Sequence, residues 1–151
     1  MGILCDYFTA GSDEAAAAVI DVLGGPCAAT DPELQVLELK GLEPSVLIGK
    51  LEELLTGVDY DAVTERPRWS HIVAARDDGD QLVIALTDEV QAALSTSSEA
   101  DLRRVAVPWS QVEEIRGQCE PSDLAEILIE LATLARRATA RRERLYCWVS
   151  V

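Results

Sequence analysis

His71 is the only imidazole in this chain of 151 residues, so any general base or imidazole-centred triad has to be built around it. It sits in the run Trp69-Ser70-His71-Ile72-Val73, whose β-prone residues predict a strand. Its chemical readings are a general base or a Cys-His dyad with one of the thiols; its structural reading is a hydrogen-bonded strand histidine. The four cysteines, Cys5, Cys27, Cys119 and Cys147, are scattered, with no C-x-x-C and no disulfide-type spacing. They read as thiols of a reducing compartment. Cys5 and Cys147 fall in the two terminal strand candidates and become neighbours if those strands pair. Cys27, after Gly25-Pro26, is the thiol expected at the surface and open to adventitious oxidation.

Asp77, Asp78 and Asp80 around Gly79 have the residue types of a calcium loop but not its twelve-residue frame with a late glutamate; they are equally what a tight hairpin turn requires, and the turn is the expectation. Five arginines, Arg136, Arg137, Arg141, Arg142 and Arg144, crowd into nine positions. At the end of a long helix they offset the negative dipole terminus and meet acidic neighbours. As an anion site they would stand at the wrong helix end, because phosphate favours an N-terminus. Trp69 and Trp109 complete the candidate interaction residues, together with Arg136, Arg137 and Arg141; Trp109, after Pro108, is the tryptophan expected to be exposed. No dinucleotide, phosphate-loop, nucleophile-elbow or zinc pattern occurs, so no cofactor and no metal site is expected.

The elements that must position these residues can be read from punctuation and period. Ile3 to Thr9 suits a strand; Ser12 caps a helix carrying Asp13 and Glu14 in its first turn and running to Leu23 before Gly24-Gly25-Pro26. Leu34 to Leu39 is a second strand, and Pro44 opens a helix with Val46, Leu47, Leu51, Leu54 and Leu55 on one side, closed by Gly57. Asp59 to Arg68 reads as a loop with one helical turn. Trp69 to Arg76 and Gln81 to Leu86 flank the aspartate-rich turn as a hairpin. Thr87 and Ser97 or Ser98 cap two further helices; Pro108 is expected to interrupt, with helix resuming over Trp109 to Arg116. Leu124, Ile127, Leu128, Leu131, Leu134, Ala135 and Ala138 give the longest helix its apolar stripe from Pro121 to about Arg142, and Leu145 to Val151 closes the chain as a strand. This order is no regular βαβ alternation. It predicts one α+β domain in which both terminal strands share a mixed or antiparallel sheet packed by several helices.

The same punctuation resembles the YfbM-like family of uncharacterised bacterial proteins. The shared cues are Met1-Gly2 leading into Tyr7-Phe8, the helix ending Leu54-Leu55-Thr56-Gly57, Leu86-Thr87-x-Glu89-Val90 opening a helix, then Trp109 and a long helix before a closing strand. The resemblance implies a fold and carries no chemistry, since the family has no established activity.

Charge narrows the function classes. The 27 acidic and 13 basic side chains leave a net charge of −14; the arginine-rich stretch carries +4, so the remainder holds −18. Such a field repels phosphate backbones and anionic membranes and favours basic partners. The opening Met1-Gly2-Ile3-Leu4-Cys5-Asp6 lacks the basic start of a secretory signal, and no apolar run approaches a membrane span, so a cytoplasmic protein is expected. The leading expectation is therefore a non-enzymatic acidic protein-binding module with a basic partner, in one variant an immunity-type inhibitor. The alternatives are a small-molecule binder or enzyme with a pocket near His71, and a homo-oligomer.

Overall fold

In the computed structural model, residues 3–26 and 35–151 are described. Strand β1 (Leu4–Ala10) pairs along its whole length with β5 (Arg144–Ser150), from Leu4 opposite Ser150 to Ala10 opposite Arg144. β5 also pairs with β4 (Gln81–Ala85), which pairs with β3 (His71–Arg76), and β1 carries β2 (Val36–Glu38) on its other side. The result is a five-stranded antiparallel sheet in the order β2-β1-β5-β4-β3. The fold is α+β with both terminal strands adjacent in the sheet, as the sequence predicts.

Alternation along the strands sends successive side chains to opposite faces, and the two faces are covered differently. Cys5, Tyr7, Ile84, Leu145, Cys147 and Val149 point into the main core. There they meet α2 (Val46–Thr56), α4 (Asp88–Thr96), α5 (Glu99–Trp109) and α6 (Pro121–Ala140). Phe8, Val83, Ala85, Tyr146 and Trp148 form a smaller cluster on the other face, covered by Ala16 and Ile20 of α1 (Asp13–Ala17) and the 3-10 turn Ala18–Asp21. α6 is the spine of the main layer. Leu124, Leu128, Leu131, Leu134 and Ala135 are all buried along one stripe, and each such leucine contributes about 1.5–3 kcal/mol by leaving water.

The helix starts follow local chemistry. Ser12, Thr87 and Ser98 each accept a hydrogen bond from a backbone N–H of the first turn, and Ser98 with Asp101 forms a reciprocal capping box. α2 is closed by Gly57 at φ 76°, as expected. The first helix is shorter than its alanine block predicts: α helix yields to 3-10 geometry after Ala17, where Val19 and Ile20 lower helix preference. Between α2 and β3, α3 (Tyr60–Val63) supplies the single expected turn. Pro108 does not interrupt α5. It removes the N–H that would bond the Arg104 carbonyl one turn back, yet α5 continues through it to Trp109. The helix expected over 109–116 is instead a series of turns, with Gln111 N–H bonding the Pro108 carbonyl and Ile115 N–H the Val112 carbonyl.

Candidate functional site

His71 opens β3 on the side of the sheet facing α1, opposite Ala85 of β4. It is exposed, and a shallow cavity of about 230 Å³ beside it is lined by Asp13, Glu14, Ala17, His71, Ile72 and Val73. Cys5 and Cys147 lie in the core on the opposite face of the sheet, and Cys119 packs at the edge of that same core, so none of them pairs with His71 as a dyad. Cys27 lies outside the described residues.

The structure places a charged network beside His71. Asp13, in the first turn of α1, accepts a forked pair of hydrogen bonds from Arg68 at 3.1 and 3.2 Å and a third from the Tyr146 hydroxyl at 2.6 Å. The Arg68 guanidinium also lies over the Tyr146 ring, 5.8 Å from its centroid, and Phe8 stacks on that ring at 5.9 Å. The hydrogen bonds from Arg68, then from Tyr146, hold the Asp13 carboxyl at about 2. Burial first, then the neighbouring Asp13 charge, pushes the Tyr146 phenol up to about 12. Asp13 is thus a fixed anion and Tyr146 a fixed neutral donor, which tie α1 and the 68–70 loop to the sheet. Neither is poised to exchange a proton near neutrality.

Trp69 is half-buried and donates its indole N–H to the Ser45 carbonyl at 3.1 Å, while Ser70 (φ 52°) shares a 2.6 Å hydroxyl contact with Ser45. Gly49 of α2 makes this possible. A Cβ there would stand 2.9 Å from both the Trp69 indole nitrogen and the Tyr60 ring. Trp109 corrects the expectation of exposure. It is fully buried and donates to the Leu47 carbonyl at 3.0 Å, which makes it a core residue joining α5 to α2.

The arginine group is largely engaged in holding the fold. Arg136 donates to the carbonyls of Ser95 and Ser97, satisfying the C-terminal end of α4 rather than that of its own helix. Arg141 stands 3.4 Å from Glu143, Arg144 forks onto Asp88 at 3.0 and 3.3 Å, and Arg137 is partnered as well. Arg142 takes the left-handed position after α6 (φ 58°), with Glu143 N–H returning to the Ala138 carbonyl at 2.7 Å. A polar groove of about 580 Å³ runs past Gln91, Ser95, Thr139, Arg142 and Arg144. A more apolar one of about 530 Å³ lies between β2 and α6.

One buried cluster escapes sequence reasoning. Glu52, 1% exposed, accepts from the Arg66 Nε–H at 2.6 Å and from the Thr87 hydroxyl; Arg66 also reaches Glu89 at 3.0 Å. The available signal is an acid on the apolar stripe of α2, one turn beyond Ile48. In the sheet, Cys147 contacts Cys5, as the pairing of the two terminal strands predicts, and burial pushes both the Cys147 thiol and the Tyr7 phenol far up, so neither ionises near neutrality. The aspartates of the hairpin form a turn, with Asp77, Asp78 and Gly79 all at positive φ, and no metal-binding group of side chains occurs among the described residues. No helix among them is long and apolar enough to cross a membrane. No protein-family model, curated protein or solved structure matches this chain, so the YfbM-like resemblance rests on its sequence cues alone.

Proposed function

We propose that this chain is a cytoplasmic, non-enzymatic binding module whose acidic surface engages a basic protein. The observation that carries the reading is how the charges are used. Lys50, Arg66, Arg68, Arg103 and Arg144 are each held against a carboxylate of the same molecule. Acids such as Glu14, Asp77, Asp78, Asp80 and Glu113 remain exposed around a body of net charge −14. A basic partner would meet carboxylates already freed of competing cations, and steering by the net field would speed its association. An immunity-type inhibitor that masks the basic active site of another protein is one form of this function. Catalysis at His71 has less support, because its cavity is smaller than the roughly 300–1,000 Å³ typical of ligand sites and the neighbouring Asp13 is locked in an ion pair.

Affinity capture from lysate of the native host, eluted by a salt step, tests the reading. A stoichiometric basic protein released by salt is expected. A partner retained equally at low and high salt overturns it.

A further inference from the structure

Among the described residues, β3 ends the sheet, with β4 as its one strand neighbour. In an antiparallel pair only alternate residues exchange hydrogen bonds with the neighbour, so about half of the β3 backbone groups face away from β4. Among the described residues, those outward groups of Ile72 to Arg76 have no backbone partner. Proteins commonly blunt such an edge with charged side chains, lysine above all, with proline, a bulge or a very short strand. β3 is six residues long and contains neither lysine nor proline; its one irregularity is the bulge between Ile72 and Ala74. That bulge leaves Ala74 to Arg76 in regular register, and it sets Val73 beside the small cavity under α1. Ile72 is 51% exposed on this edge.

The surroundings of the edge select the occupant. At its start, exposed Glu14 and the ion-paired Asp13 line the cavity next to Ile72 and Val73. At its end stand exposed Asp77, Asp78 and Asp80, and Asp21, 83% exposed, lies 4.0 Å from Arg76. Arg76, the cation of the strand, is turned back to the Ile20 carbonyl at 3.1 Å. Open backbone donors and acceptors, an exposed apolar side chain and carboxylates at both ends match an extended chain that alternates basic and apolar residues. A second copy of this protein would bring the same carboxylates against each other and carry another −14.

We infer that β3 is a strand-addition site that takes an extended basic segment of another protein. The inference rests on the binding-module reading and deepens it. The added strand hydrogen-bonds to the outer edge of β3, an apolar side chain covers Ile72, and a lysine or arginine reaches Glu14 at the cavity under α1.

The probe is a displayed library of ten-residue peptides alternating Lys or Arg with Val, Ile or Thr. The best binder is then measured by fluorescence anisotropy and by amide hydrogen exchange on the whole chain. Binding is expected to protect amides within Ile72–Arg76 and to weaken at least tenfold when alternate peptide nitrogens are methylated in one register, but not in the other. Ile72→Lys, at an exposed site that leaves the fold intact, is expected to weaken binding at least tenfold. If both methylated peptides bind as well as the parent, or protection falls outside β3, strand addition is wrong while the acidic-module reading stands. If no basic peptide binds, strand addition is wrong, and the acidic-module reading is decided separately by the salt-eluted capture. If the chain dimerises and protects β3 without peptide, the edge belongs to a second copy and the inference is overturned.

Discussion

Glu52→Gln isolates one interaction whose cost the structure defines. Glu52 is 1% exposed, and its carboxylate joins Arg66 at 2.6 Å to Thr87, the residue that caps α4 by accepting from Val90 N–H at 3.1 Å. Glutamine keeps the shape. Its oxygen can still accept from Thr87, but its amide N–H₂ then faces the Arg66 Nε–H, donor against donor. The loss includes a charge-assisted hydrogen bond worth about 1.5–3 kcal/mol, plus the mismatch left in a buried place. Two features limit the penalty below the roughly 3–5 kcal/mol of a fully buried broken pair. Arg66 retains Glu89, and its side chain is 24% exposed, so water can reach it. We expect a loss of about 2–4 kcal/mol, read as a lower urea midpoint at unchanged slope. At about 2–4 °C per kcal/mol for a chain of this size, the melting temperature falls by roughly 5–15 °C. Adding Arg66→Met to Glu52→Gln removes the opposed donor, so the double variant is expected to lose less than the sum of the singles. A single-variant loss under about 0.5 kcal/mol, or strict additivity in the cycle, would refute this account.

Three further perturbations test other parts of the structure. Asp13 is held at about 2, below the ordinary 3.8, so its stabilisation is full above pH 4 and disappears as pH falls through 2. Because its side chain is 40% exposed, screening reduces the effect to about 1 kcal/mol; Asp13→Asn is expected to flatten the acid limb of a pH–stability curve by that amount. Gly49→Ala would ordinarily improve a helix, but a Cβ 2.9 Å from the Trp69 and Tyr60 rings should destabilise by about 1–3 kcal/mol, and a raised melting temperature would contradict the packing. Arg142→Gly relieves a left-handed residue at the end of α6 and should gain about 0.5 kcal/mol, whereas Arg142→Val should lose stability in the same thermal scan.

Legibility in the sequence followed the range of the interactions. Ser12, Thr87 and Ser98 were recognisable as caps because each bonds within its own first turn, and Gly57 because a left-handed residue ends α2. The aromatic and apolar run of residues 3–9 and the alternation of residues 145–151, with apolar content too high for free ends, suffice to place both terminal strands in one sheet. Trp109 was misplaced because its neighbour Pro108 speaks only of local backbone, while its burial is decided by the Leu47 carbonyl 62 residues away. Glu52 was visible as an acid on an apolar stripe, but its partners come from two separate later segments. His71 was singled out by being unique, which says nothing of where it points; the fold sets it in the open beside a committed ion pair. The hairpin of β3 and β4 was readable, yet that β3 is the outer strand depends on β5 taking the inner side of β4.

The central place of β5 has a consequence for how the polypeptide acquires its structure during synthesis. Tyr146 and Asp13, bonded across the finished sheet, are 133 residues apart, so β1 must remain without its long partner until β5 has been synthesised and has left the ribosome. Before then the native strand pairs open to the nascent protein are β1 with β2 and β3 with β4, each with an unfilled side. In the finished sheet β5 joins the two pairs, closing a very long loop and completing the platform on which α6 packs. Such a domain should fold slowly for its size and be vulnerable to non-native strand pairing until β5 emerges.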